Sequence, residues 1–120
     1  WCNLGAGTSN SNVKNTGGEV KYIINSRMPS IAAGNKAGLL MGDYSRCAIN
    51  TSFNTGTVVG VCCNIFGEMP GKYVNNFSWG NERYIFEKIL SDISNWKKMK
   101  GHEVSEEEIE MLGKLYSSNL

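Results

Sequence analysis

By type and spacing, Lys14, Lys21, Arg27 and Lys36 are the residues best suited to chemistry. They stand singly, six to nine residues apart, with one acid, Glu19, among them. A few separated cations suit the phosphate of a small ligand, because each can meet a different phosphate oxygen. A nucleic-acid surface needs a denser basic stripe, so nucleic acid is not expected as a partner. No catalytic set is complete. His102 is the only histidine and falls in a Lys-Gly-His-Glu turn that reads as solvated. There is no Ser-His-Asp set, no P-loop and no GxGxxG opening a helix after a strand. Cys2, Cys47, Cys62 and Cys63 form no CxxC pair, and no metal site is expected. They read as reduced thiols of a cytoplasmic protein, Cys47 and Cys63 being small interior hydrophobes.

What must position these cations is a six-residue repeat. Met41, Cys47, Phe53, Val59 and Ile65 share one column, and the small Ser45, Thr51, Thr57 and Cys63 lie four residues after the first four. Neither the helical period nor the strand period gives a spacing of six. Short strands joined by tight corners do, with two side chains in every six pointing into a narrow prism. Gly38, Asn50 and Gly56 share the plus-three position, where Gly and Asn tolerate a positive φ. Asn3 to Thr8 follows the same rule with Leu4 inward, and the sixes resume near Asn35 and run to about Pro70.

The expected organisation is mainly β. Coils occupy residues 1–80, interrupted by an excursion loop at about 9–34, and a two-helix appendage covers 81–120. Within the loop, Val20 to Ile24 reads as extended and Asn15 to Gly18 as a turn, so a small hairpin is expected. The stacked coils gain little from such a loop, which points to function there. After Pro70, Tyr73, Phe77 and Trp79 read as an aromatic lid or interface. Ile85, Ile89, Ile93 and Trp96 then take helical spacing, with Lys97, Lys98 and Lys100 near the end and Gly101 as the stop. Ser105 with Glu108 forms a capping box for a second helix, and Val104 with Ile109 its staple. This tail is expected to cover the end coil, whose backbone would otherwise be unpaired.

At 120 residues the chain is at most one domain with a short appendage, and its net charge is +1. No apolar run approaches the roughly 20 residues of a membrane-spanning helix. It begins at Trp1 without an initiator Met, and residues 3–8 already read as mid-fold, so a piece of a longer protein is expected.

Asn3-Leu4-Gly5-Ala6-Gly7-Thr8, then Asn12, then Met41-Gly42-Asp43 resembles the C-terminal left-handed parallel β-helix of sugar-1-phosphate nucleotidyltransferases. In the bifunctional uridylyltransferase/acetyltransferase that makes UDP-N-acetylglucosamine, the matching pattern is NxGAGT, an Asn in a short loop, then IGD. Ala48 to Gly60 (AINTSFNTGTVVG) and Phe77-Ser78-Trp79-Gly80 are similar to stretches of less studied nucleotidyltransferase-like proteins, and the relatedness spans most of residues 1–118. The resemblance implies left-handed coils, a homotrimer, and sites for sugar phosphate or nucleotide sugar and for acetyl-CoA between subunits. It puts Asn3 toward the sugar phosphate, Ala6 and Asn12 along the acetyl-CoA or sugar site, and makes Lys14, Lys21 and Lys36 candidates for phosphate contact. It places the catalytic base before Trp1 and Mg²⁺ only in a separate N-terminal domain. Two departures bear on activity: Val13 stands where the acetyltransferase has Tyr, and Ile49 where Ser is usual near the CoA. Two functions follow: a trimerising domain that transfers an acyl group to an amino sugar, or an oligomerising module whose acyl site has decayed.

Overall fold

The computed structural model describes residues 1–68 and 71–118. In chain order its strands are β1 Asn3–Leu4, β2 Ser9–Asn10, β3 Lys21–Tyr22, β4 Ile31–Ala32, β5 Leu40–Met41, β6 Arg46–Cys47, β7 Ser52–Phe53, β8 Val58–Val59, β9 Asn64–Ile65, β10 Tyr73–Val74, β11 Ser78–Trp79 and β12 Glu82–Arg83. Two helices follow, α1 Phe86–Met99 and α2 Glu106–Ser118. The result is a sheet-rich domain with parallel strands and two helices.

From β5 the strands begin every six residues, at 40, 46, 52, 58 and 64, and neighbours in sequence enter different sheets. β5, β8 and β10 share one sheet, β1, β6, β9 and β11 a second, and β2 and β7 a third. All pairs among these strands are parallel. Leu40 pairs with Val58 and Arg46 with Asn64, so the chain returns beside itself after eighteen residues, which is three sixes. The first round is longer: Asn3 pairs with Arg46 and Ser9 with Ser52, 43 residues on, so 43 − 18 leaves a 25-residue insertion. The last is shorter, because Val58 pairs with Tyr73 after fifteen. Pro70, where the sixes were expected to end, lies outside the described residues.

The two columns fill the interior. Cys47, Phe53, Val59, Cys63, Ile65 and Val74 form one buried cluster, with Leu39 and Met41 packed against it. The small polar residues are buried because their hydroxyls stay paired. Ser45 Oγ donates to Gly60 O at 2.6 Å, Thr51 Oγ1 to Ala48 O at 2.8 Å and Thr57 Oγ1 to Asn54 O at 2.7 Å. A buried hydroxyl without such a partner would be costly, so these bonds permit Ser and Thr in the interior. Rounds approach closely enough to exclude side chains: a Cβ on Gly42 would lie 2.6 Å from Gly60 O.

Several expectations change. Positive φ recurs every six residues at Tyr44, Asn50, Gly56 and Cys62, and Gly38 is not among them. Gly38 is needed for close approach instead, since a Cβ there would press on the Asn10 side-chain amide. Leu4 is half exposed, because β1 is an edge strand covered from one side only. The inserted hairpin pairs β3 with β4 in antiparallel register, Lys21 opposite Ala32. The Asn15–Gly18 segment makes a separate turn, with Gly17 N donating to Lys14 O at 2.9 Å. Val20 sets this offset: it is fully buried and packs on Gly56, anchoring the arm to the wall. Tyr73 and Trp79 are strand residues, not a lid, and Phe77 is buried at a corner. β12 pairs antiparallel with β11 and ends that sheet.

The helices do not cap an end. They pack along the edge formed by Tyr44, Cys62 and Phe77, joining a second cluster with Tyr84, Ile89, Ile93 and Leu112. Cys62 and Cys63, adjacent in sequence, thus serve different cores. α1 ends in a Schellman motif: Gly101 N donates to Lys98 O at 3.0 Å and His102 N to Lys97 O at 2.8 Å. Ser105 Oγ caps α2 through Glu108 N at 3.1 Å. The Glu108 carboxylate leaves the capping box and pairs with Lys97 Nζ at 3.0 Å. Ile85, expected in the helical stripe, is exposed at the N-cap.

Candidate functional site

The segments that carry Asn12 and Lys14 and that carry Lys36 meet where the inserted arm leaves and rejoins the wall. The two segments are tied by Ala37 N donating to Asn12 O at 2.9 Å and Asn35 Nδ2 to Gly17 O at 2.9 Å. Returning chain is also held by Leu39 N donating to Asn10 Oδ1 at 3.0 Å. Asn12 and Lys36 are exposed and Lys14 is partly so, which leaves their polar ends to solvent or a ligand. Lys21 lies farther along, on β3, where its carbonyl accepts from Lys72 Nζ at 3.5 Å. Lys72 therefore adds a cation beside the arm that lay outside the sequence-derived set. Ala6 is an exposed turn residue whose carbonyl accepts from Asn50 N at 2.8 Å.

Asn3 belongs elsewhere. It lines a cavity of about 180 Å³ with Trp1, Cys2, Arg46, Trp96, Met99 and Lys100, between the β1–β6 sheet and α1. Arg46 crosses Trp96 with its guanidinium carbon 3.9 Å from the ring centroid. Its Nη2 reaches Trp1 O only at 3.4 Å, and Nη1 is buried without a hydrogen-bond partner among the described residues. A donor left in that state costs about 1–3 kcal/mol, so Arg46 is an expensive residue for a plain surface. Burial lowers its pKa, opposed by the nearby Tyr84 and Asp92, and it stays a cation at any physiological pH. Tyr84 donates its hydroxyl to Asp92, and burial followed by that bond pushes its pKa up.

A larger cavity, about 490 Å³, opens on the other side of Trp1 and is lined by Asp43, Tyr44, Lys97, Glu107, Glu108 and Met111. Lys97 crosses it, its Nζ 5.5 Å from the ring centroids of both Trp1 and Tyr44 and ion-paired to Glu108. The aromatic faces thus already hold a cation from the chain itself. His102 is exposed and packs edge-on to Trp1 at 5.6 Å, and among the described residues its ring is hydrogen-bonded to no nucleophile or acid. The cysteines are all free; Cys2 is exposed, and burial pushes the Cys62 thiol up to about 12 and raises Cys63 as well. No helix of the described residues is long and apolar enough to cross a membrane.

No protein-family model matches this chain, and a search of the curated proteins returns no match. The geometry therefore separates the expected residues: Asn12, Lys14 and Lys36 at the root of the arm, Lys21 farther along it, Ala6 in the turn after β1, and Asn3 under α1. Arg46 escaped the sequence reading because it falls outside the six-residue columns, and Trp96 was expected only as part of the apolar stripe of α1. A six-residue column identifies what faces the interior and is silent about outward positions. The one available signal was Trp96 followed by Lys97 on a helix otherwise spaced for a core.

Proposed function

We propose that this chain is a left-handed parallel β-helix of the kind found at the C-terminus of sugar-1-phosphate nucleotidyltransferases, that it assembles as a homotrimer, and that it receives a phosphate-bearing sugar ligand at the root of its arm. The observation that carries this reading is the eighteen-residue return through three parallel sheets. A triangular round of three sixes fits three-fold packing side by side, in which each arm lies against the next subunit. The arm is suited to that role, since Ile23, Ile24, Met28 and Ile31 are exposed on it while Val20 anchors its base. Asn12, Lys14 and Lys36 then supply an amide and two cations to a phosphate, with Lys21 and Lys72 farther out along the arm. Three buried free thiols suit a reducing, cytoplasmic setting.

Acyl transfer from acetyl-CoA needs more than this chain contributes: a base to take the amine proton and a donor for the thioester oxyanion. Backbone N–H groups at the corners are suited to the second role, and the first falls to a residue outside the chain. A second reading, an oligomerising module with a decayed acyl site, is favoured by Ile49 and Val13, which are exposed where the resembling family carries Ser and Tyr. Isothermal titration with glucosamine-1-phosphate and with acetyl-CoA separates the two. Heat from the sugar phosphate that disappears in Lys14→Ala/Lys36→Ala supports the leading reading. Heat from neither ligand leaves the oligomerising module.

A further inference from the structure

We propose that the cavity beneath α1 is a second, independent anion site, which takes a phosphate monoester carrying a planar ring. Its walls are Trp1, Cys2, Asn3, Arg46, Trp96, Met99 and Lys100. Two of these seven are cations and none is an acid, although the neighbouring cavity across Trp1 carries Asp43, Glu107 and Glu108. Among the described residues the ion pairs are Lys97–Glu108 and Lys114–Glu110, so neither Arg46 nor Lys100 is ion-paired, and Asp92, the carboxylate near Arg46, is outside this cavity's walls and accepts the Tyr84 hydroxyl. Stacking on Trp96 fixes the Arg46 plane, so the guanidinium loses less freedom on meeting an anion than an unstacked side chain would. Asn3 adds an amide beside it, and Trp1 and Met99 present exposed apolar surface, which favours a ring over a bare ion. At about 180 Å³ the space is smaller than the roughly 300–1,000 Å³ of drug-sized sites, so it holds one charged group and a ring, not a whole coenzyme. Nothing in this assignment uses Lys14, Lys21 or Lys36.

Cys2 makes the proposal readable. It is exposed in the cavity wall, while Cys47, Cys62 and Cys63 are buried, so iodoacetamide added to the folded chain marks Cys2 first. The experiment follows that adduct by intact mass with phenyl phosphate, inorganic phosphate or phenol present. Phenyl phosphate is expected to slow labelling saturably, and inorganic phosphate and phenol to do so only at much higher concentration. Lys100→Glu, at an exposed position, is expected to raise the half-saturating concentration by about tenfold or more, the effect of losing one charge-assisted hydrogen bond. Arg46→Met is expected to abolish protection, with Lys100→Glu as the safeguard should Arg46→Met fold poorly. Lys14→Ala/Lys36→Ala is expected to leave protection unchanged, which separates this site from the arm. The proposal is overturned by unaltered labelling at about 10 mM phenyl phosphate, by inorganic phosphate protecting equally well, or by undiminished protection in Lys100→Glu.

Discussion

Asn50 is a corner where side-chain identity and backbone geometry can be tested separately. Its φ is 58°, in the left-handed region that costs a β-branched residue most. Asn50→Gly is therefore expected to change the urea midpoint little, whereas Asn50→Val should lose about 1–2 kcal/mol, read by the same titration. Gly42 carries the opposite constraint, space without conformation. Gly42→Ala drives a methyl onto Gly60 O and should cost about 1–3 kcal/mol by denaturation. Protonation also belongs at this scale. Burial holds the Cys62 thiol at about 12, above the roughly 8.5 of an unfolded cysteine. Between those values the folded state binds the proton and the unfolded state releases it, so this contribution to stability is full below about pH 8.5 and is lost as pH rises toward 12. The urea midpoint should fall as pH is raised above about 8.5, and Cys62→Ala should flatten the decline, with Cys63 and Tyr84 leaving a residual slope of the same sign. A midpoint indifferent to alkaline pH would contradict the burial of both thiols.

The helix pair tests whether elements are joined by charge or by packing. Lys97 and Glu108 form the contact between α1 and α2 that the sequence could not supply, because a capping box predicts Glu108 turning back on Ser105. Removing one partner should hurt more than replacing both, since the remaining charge would be left largely buried. Glu108→Ala is expected to cost about 2–3 kcal/mol, while Lys97→Met/Glu108→Leu stays within about 1 kcal/mol of the parent in chemical denaturation. The interior columns, the Schellman stop at Gly101 and the Ser105 cap were legible because each is a local rule acting on residue type. What was not legible was where elements meet. The six-residue pattern says which side chains face inward, so it anticipated Cys63 and Ile65, yet it gave no reason for the helices to lie along Tyr44, Cys62 and Phe77. Nor does local turn chemistry say which turn closes a hairpin. Asn15 to Gly18 carries the stronger turn residues, but Val20 buried on Gly56 fixes the pairing one turn later.

At the scale of the molecule, the wall of parallel strands has outward surfaces that its own helices cover along one edge only. The arm, held at its base by Val20 and by Tyr22 donating to Gly38 O at 2.7 Å, exposes Ile23, Ile24, Met28 and Ile31. Apolar exposure gathered on one inserted element is the feature a subunit contact would use. The candidate site was half legible for the same reason. Spaced lysines in a polar insertion pointed to the arm's root, whereas the position of Asn3 beside Arg46 depends on strands 43 residues apart. Assembly is the claim on which the functional reading depends most. Light scattering on the eluting 120-residue chain reads it directly. The trimer predicts about 40 kDa, three times the 13.2 kDa chain mass, falling toward 13.2 kDa in Ile24→Asp/Met28→Asp. A parent chain that elutes at 13.2 kDa at every concentration tested would contradict it.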